Sequence, residues 1–197
     1  AYGQLFSLNH MKNRQHKQQI RIIGGTHRRR LVHFDEAEGL RPTPDRVREQ
    51  VFNWLGQRLS GQKVLDLFGG SGVMALEAAS RGAEKVDVVE LNRQTVQKIR
   101  EVINELKFDQ VTVYQQDATA YLQAVSEVYD VVVLDPPYRW EEWHGLWGML
   151  RSHCHAETVL YIEAAQLPQL PEWLQWKKQD SAGQSHYGLA LIQDTDL

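Results

Sequence analysis

The chain has 197 residues, 42% of them hydrophobic and 24% charged, and a formal net charge of −3. That suffices for one good-sized core, alone or with a small appendage, at the composition of an ordinary globular protein. No run approaches the roughly 18 apolar residues of a membrane span, the N-terminus lacks the apolar core and cleavage site of a secretory signal, and the single cysteine, Cys154, excludes an internal disulfide and a CxxC metal frame.

One unpaired cysteine fits a reducing cytoplasm. The triplet His153-Cys154-His155 has the residue types of a metal site. Adjacent residues rarely converge on one ion, however, and no second cluster supplies further ligands. It reads as a helix end or loop, and no metal is expected.

Met11 is a candidate start, so residues 1–10 are set aside as an upstream extension and 1–19 are read as a flexible basic tail. Residues 1–34 hold seven Lys/Arg and no acid, which leaves 15 basic residues against 25 acidic in the remainder, a net of −10. A basic arm on an acidic body suits a polyanion; the plainer alternative is a solvated tail. "IRII" (20–23), "GG" and "RRRLVHF" read as two short strands joined by a glycine turn, a small β-hairpin extension over 20–40 that would display its arginines. In "LRPTPDRVREQVFNWLGQRL", Thr43 suits an N-cap and Pro44 the first helical position. Val47, Val51, Phe52, Trp54 and Leu55 then recur at helical spacing.

Strand and helix alternate from there: strand 63–68, helix 73–82, strand 85–91, helix 93–107, strand 111–117, a short helix near 118–126, strand 129–135, helix 141–152, strand 158–164, and a closing hairpin around 181–185. The fold class is therefore α/β. We expect a Rossmann-like, mainly parallel sheet with helices on both faces and an antiparallel C-terminal pair, in one domain over 41–197.

In such sheets ligands sit beyond the C-terminal strand ends at the switch point. The first such loop, "DLFGGSGVMA", carries Gly69, Gly70 and Gly72, which permit a tight turn and close backbone approach. The helix behind them aims its first amides at whatever binds. Eighteen residues after Gly72, a strand ends in Glu90, a carboxylate suited to ribose hydroxyls. Gly70 to Ala75 also fits the dinucleotide pattern GxGxx(G/A), so a nicotinamide or flavin cofactor is a rival. Asp66 tilts the choice. An acid in the strand before the loop is misplaced beside a pyrophosphate and well placed beside the ammonium and sulfonium of S-adenosylmethionine. Asp117-Ala118, at the third strand's end, could meet an adenine edge, though Asp also caps helices.

The fourth strand leaves as "LDPPYR". Prolines fix the turn and remove amide donors while their carbonyls remain acceptors. Asp135 and the Pro136 carbonyl can both face an NH2 group, which has two hydrogens to donate, and Tyr138 could stack on the ring bearing it. Holding both hydrogens would direct the nitrogen lone pair at a methyl carbon and stabilise the charge that develops.

"VLDLFGGSG", "VVELN", "QQDA" and "LDPPY" resemble the ordered motifs of class I S-adenosylmethionine-dependent methyltransferases acting on exocyclic amines. More narrowly, "IRIIGGTHRRR", "LRPTPDRVREQVFNWL" and "GQSHYG" resemble the RsmD family, guanine-N2 methyltransferases of 16S ribosomal RNA, over roughly residues 20–193. The resemblance implies that Arg41, Pro42 and Thr43 border the methionine end of the cofactor, and that Asp66, Phe68, Gly69, Gly70, Ser71 and Gly72 hold its amino-acid part. It further implies Glu90 at the ribose with Leu91 beside it, Asp117 and Ala118 at the adenine, and Asp135, Pro136 and Tyr138 as the methylation site. Relatives carry Ala for Gly70 or Phe for Tyr138, both mild changes.

Arg21, Arg28, Arg29 and Arg30, with Arg46 and Arg48 on the first helix, would then contact phosphates around the site, positioning RNA without reading its sequence; Arg46 or Arg48 could instead pair with surface acids. His186 and Tyr187 either line the pocket or only fill the last hairpin. The target base would have to leave its stack. The expected partner is 16S rRNA within a 30S subunit or an assembly intermediate, and the expected state is a cytoplasmic monomer. One rival keeps the chemistry but acts on adenine N6 of DNA or on a protein glutamine; DNA enzymes usually bring a separate recognition domain, and glutamine enzymes tend to show Asn at position 135. Two others are a non-catalytic RNA-binding module and, more remotely, a nicotinamide oxidoreductase.

Overall fold

A computed structural model describes residues 17–35 and 42–193. Its main sheet has seven strands in the order β5-β4-β3-β6-β7-β9-β8. They are β3 (Lys63–Asp66), β4 (Lys85–Glu90), β5 (Val111–Gln115), β6 (Tyr129–Leu134), β7 (Cys154–Ala164), β8 (Leu174–Ala182) and β9 (Ser185–Ile192). Strands β3 to β7 pair in parallel, while β9 is antiparallel to both β7 and β8. This is the expected Rossmann-like arrangement with its antiparallel terminal hairpin. The two central strands read "VLD" and "VVVL" because both of their faces are buried.

One face of the sheet packs against α1 (Asp45–Trp54), α2 (Val73–Ser80) and α3 (Arg93–Leu106). The other packs against α4 (Ala118–Ala124) and α5 (Trp143–Leu150). The chain winds outward from β3 to β5, then returns to lay β6 on the other side of β3. The switch point therefore falls between β3 and β6, beside the glycine loop and "LDPPYR".

The N-terminal hairpin pairs β1 (Lys17–Arg21) with β2 (Leu31–Asp35). Strand β1 begins inside the segment read as tail, and residues 1–16 lie outside the described residues. Ile20, Ile22, Val32 and Phe34 are buried in one core with α2 and α3. The hairpin turn docks on the C-terminal ends of those helices. The Thr26 amide donates to the Ser80 carbonyl (2.7 Å), the Ser80 hydroxyl to the Gly24 carbonyl (2.6 Å), and His27 Nε2 lies 2.8 Å from the Leu106 carbonyl. Arg28, Arg29 and Arg30 fall in this turn rather than along a displayed strand.

Two other local expectations are corrected. Thr43 does not cap α1: the helix begins at Asp45 behind Pro44 without a side-chain cap, because the Thr43 hydroxyl is spent on Glu163 (3.3 Å). Strand β7 begins at Cys154, ahead of the expected 158, across an irregularity at Tyr129/Val131. There Thr158 takes the His155 amide (2.9 Å) and donates to the Tyr129 carbonyl (2.7 Å).

Candidate active site

Three neighbouring strands end in acids. Asp66 closes β3, Asp135 follows β6, and Glu163 lies one residue from the end of β7. The registers Asp66↔Val133, Val133↔Tyr161 and Leu134↔Ile162 put Asp66, Asp135, Tyr161 and Glu163 on the same face of the sheet. That face is the one carrying α1 and α2, so the acids gather under the entry to α1.

Their surroundings are unfavourable for charge. Asp66 is 2% exposed, and its Oδ1 has no hydrogen-bond partner among the described residues. Burial first, then the charge of Glu90, push its carboxyl well above the usual range, while the Phe68 amide pulls the other way. Burial likewise raises Asp135, helped by Glu163, against which it lies, and by Asp66. Glu163 is itself buried. Its Oε2 accepts from Tyr161 (3.0 Å) and Thr43 (3.3 Å), and its Oε1 from Ser185 (2.8 Å).

The glycine loop closes beside these acids. Gly69 is pressed onto β4: a Cβ there would stand 2.5 Å from Val88 Cγ1. Gly72 turns left-handed (φ 78°) to start α2 without a capping side chain, which leaves its first amides facing the switch point. Glu90 holds the loop through the Gly70 amide (3.1 Å on Oε1) and accepts the Asn92 amide on Oε2 (2.7 Å). Leu91, beside it, is 67% exposed.

Further along, Asp117 caps α4. Its Oδ1 takes the Thr119 hydroxyl (2.5 Å) and the amides of Thr119 (3.0 Å) and Ala120 (3.1 Å), and these donors hold its pKa below the usual value. Capping and ligand contact are compatible, since these bonds engage Oδ1 alone. Ala118 is buried behind it.

In "LDPPYR" the Trp140 amide closes the turn on the Pro137 carbonyl (2.8 Å), and no donor among the described residues takes the Pro136 carbonyl. Pro136 is buried and Tyr138 is 72% exposed. Trp140 meets Phe68 edge-on at 5.2 Å, which joins the proline turn to the glycine loop. One half-buried acid, one open carbonyl and one exposed ring thus stand together at the switch point.

The structure brings Thr43, Asp66, Phe68, Gly69, Gly70, Ser71, Gly72, Glu90, Leu91, Asp117, Ala118, Asp135, Pro136 and Tyr138 to the same end of the sheet; Arg41 lies outside the described residues. The proposed RNA contacts divide. Arg46 and His186 are exposed at this end. Arg48 is corrected: it is fully buried, with Nη1 3.0 Å from Glu77, and also bonds Asp45 and the carbonyls of Thr43 and Arg21. Tyr187 is corrected too, being 2% exposed, hydrogen-bonded to Gln50 and packed on Trp54 and Tyr161. Arg21, Arg28, Arg29 and Arg30 are exposed, but the turn carrying the last three sits at the far end of α3. Fourteen residues of helix make that about 21 Å from the helix start.

Glu163 escaped the sequence reading. Its signal was the repeat itself: "YIEA" ends a strand in an acid, as "VLD" and "VVLD" do. The His-Cys-His triplet disperses. His153 bonds the carbonyls of Glu127 and Leu122, Cys154 is buried, and His155 pairs with Asp130 (2.7 Å).

A family model described as conserved hypothetical protein 95 matches residues 20–190. The ribosomal RNA small subunit methyltransferase D of Escherichia coli (strain K12) is 34% identical over 176 residues, covering 87% of this chain and 89% of that protein. Its namesake from Haemophilus influenzae is 39% identical over 126 residues, 62% of this chain and 65% of that one. Among solved structures, one from Escherichia coli described as the methyltransferase yhhF superposes with a TM-score of 0.80 at 31% identity, covering 89% of this chain and 99% of that chain.

Proposed function

The chain belongs to the conserved hypothetical protein 95 family, the RsmD family that its motifs resemble, and from that premise we propose that it methylates the exocyclic N2 amine of a guanine in 16S ribosomal RNA. It is an S-adenosylmethionine-dependent methyltransferase of ribosomal RNA. The observation that carries the amine as acceptor is the proline turn: Asp135 and the open Pro136 carbonyl stand at the switch point beside an exposed Tyr138.

The residues fit the cofactor. The unpartnered Asp66 Oδ1 suits the ammonium of its amino-acid part, and Gly69 against Val88 and Gly72 against Ile99 let the loop's backbone pack tightly beside it. Glu90, with two amides already fixing it, suits the ribose hydroxyls, and Asp117 with Ala118 the adenine. A pyrophosphate in the same place would face Asp66, so the dinucleotide alternative is disfavoured. When bound, S-adenosylmethionine supplies a methyl group on a sulfonium, with a neutral thioether as leaving group. The chain's own work is alignment. Asp135 and the Pro136 carbonyl each take one amine hydrogen, Tyr138 stacks on the base, and the two acceptors stabilise positive charge as it develops on nitrogen.

Small-subunit rRNA within a 30S subunit or an assembly intermediate suits the arginine geometry. A base held at the switch point and a backbone reaching Arg28–Arg30 requires RNA extending about 20 Å along α3. Arg46 and His186 would meet phosphates near the target, while Arg28, Arg29 and Arg30 form a second, remote contact. We place this activity in the cytoplasm, in a monomer. No described helix is long and apolar enough to cross a membrane.

The test offers 30S subunits, naked 16S rRNA and duplex DNA with methyl-labelled cofactor, then maps the labelled nucleotide. Label on N2 of one guanine in the rRNA is expected. Label confined to DNA, or carried on adenine N6, overturns the assignment.

A further inference from the structure

Glu163 is the acid that methyl transfer leaves without a task. It is buried, three hydroxyls converge on it, and it lies beside Asp135. Three hydroxyl donors suit a carboxylate, which accepts and cannot donate. Its partners come from three places: Thr43 from the segment entering α1, Tyr161 from β7 itself, and Ser185 from the start of β9.

An aromatic amine that gains a methyl group must also lose a proton. We propose that Glu163 is a positioning residue for Asp135: its carboxylate, held by three hydroxyl donors, lets Asp135 take the proton that leaves the acceptor nitrogen. In that step one N–H bond breaks, its electron pair returns to nitrogen, and one O–H bond forms on Asp135. The methyl carbon brings the positive charge that the departing proton removes, so no oxidant or further reactant is needed. The inference rests on the amine-methylation reading of the site.

The charged and titratable groups around Asp135 come from every neighbouring element. Asp66 lies on β3, with Glu90 of β4 acting on it in turn, and Glu163 and Tyr161 lie on β7. Tyr187 of β9 is held to Gln50 of α1, and Arg46 of α1 is felt at Tyr187. Burial raises Asp135, and the acids Glu163 and Asp66 beside it add to this. A carboxyl raised in this way is more basic than an ordinary one and better able to receive a proton. Glu163 also ties down the Thr43 and Ser185 segments, so a purely structural role is the competing explanation, and the test must separate the two.

Glu163→Gln keeps the shape and an acceptor oxygen and removes the charge. In carbon-detected NMR titration of the ligand-free protein, we expect the Asp135 carboxyl to titrate at lower pH in Glu163→Gln than in the wild type. In the pH–rate profile of methyl transfer, the acid limb should move down with it, and kcat on the plateau should fall on the order of tenfold, with cofactor affinity by calorimetry unchanged. Glu163→Asp, which restores a charge, should return the limb toward the wild-type position. An unmoved Asp135 titration in a folded Glu163→Gln protein overturns the inference. So does a loss of activity equal at every pH. If the wild type itself labels no amine, the methylation reading fails instead, and the NMR titration still reports on the Asp135–Glu163 pair.

Discussion

Arg48 and Glu77 form a completely buried ion pair, Nη1 to Oε2 at 3.0 Å with neither side chain exposed. Glu77 also takes Arg81 Nε (3.0 Å) and the backbone amides of Ile23 and Gly24. One carboxylate thus joins α1, α2 and the N-terminal hairpin. Removing one partner of a buried pair leaves an uncompensated charge. Glu77→Ala should therefore lose about 3–5 kcal/mol of unfolding free energy in urea titration. The Ile23 and Gly24 amides should lose exchange protection ahead of the rest of the core. A variant as stable as the parent would show that the node carries no weight.

Cofactor binding should depend on pH through Asp66. Burial raises this carboxyl in the free protein, so the native state holds a proton that the unfolded chain gives up near its ordinary value. Stability from this group is fullest below the unfolded value and declines as pH climbs from there toward the raised one. A cation placed on Oδ1 reverses the preference and expels the proton. Calorimetry in buffers of differing ionisation enthalpy should show proton release on S-adenosylmethionine binding, and affinity should weaken as pH falls below the raised value. Asp66→Asn should abolish the proton release. Proton uptake by the wild type would contradict the assignment.

Asp135→Ala should separate chemistry from binding. The side chain is one of two acceptors for the amine, and losing one preorganised partner of a developing charge costs about 10²–10³ in kcat. Thermal stability and cofactor affinity should stay near the parent's. Wild-type turnover in this variant would remove Asp135 from the site.

The remote arginines should act through salt. Replacing Arg28, Arg29 and Arg30 by Glu should weaken RNA affinity and flatten the slope of log K against log salt by about one unit for each phosphate left without its arginine. Cofactor affinity should not change, because the turn lies at the opposite end of α3. An unaltered slope would mean that these side chains are merely solvated.

The sheet and the main site were legible because their signals are local. Period, glycine turns and strand-ending acids are written within a few residues of one another, and the observed strands fall within a few residues of the expected ones apart from the start of β7. What escaped was set by pairings across the chain. Arg48 and Arg46 are both arginines on one helix, and only the buried Glu77, 29 residues beyond Arg48, makes one of them structural. Thr43 has the local sequence of a cap; its partner Glu163 lies 120 residues away. The arginine turn is close to Thr43 along the chain, which suggests a place near the site. Its docking on Ser80 and Leu106 is invisible without the fold.

The Glu77 node gives the molecule a fixed gauge. The acid-lined switch point and the arginine turn stand at opposite ends of the same pair of helices, so the packing of those helices sets the gap between them. On the proposed contact of Arg28–Arg30 with RNA, a short oligonucleotide bearing the right base would reach the switch point and leave the arginine turn empty. Long RNA should then bind better than short, and Glu77→Ala should narrow that difference without altering a single residue proposed to touch the base.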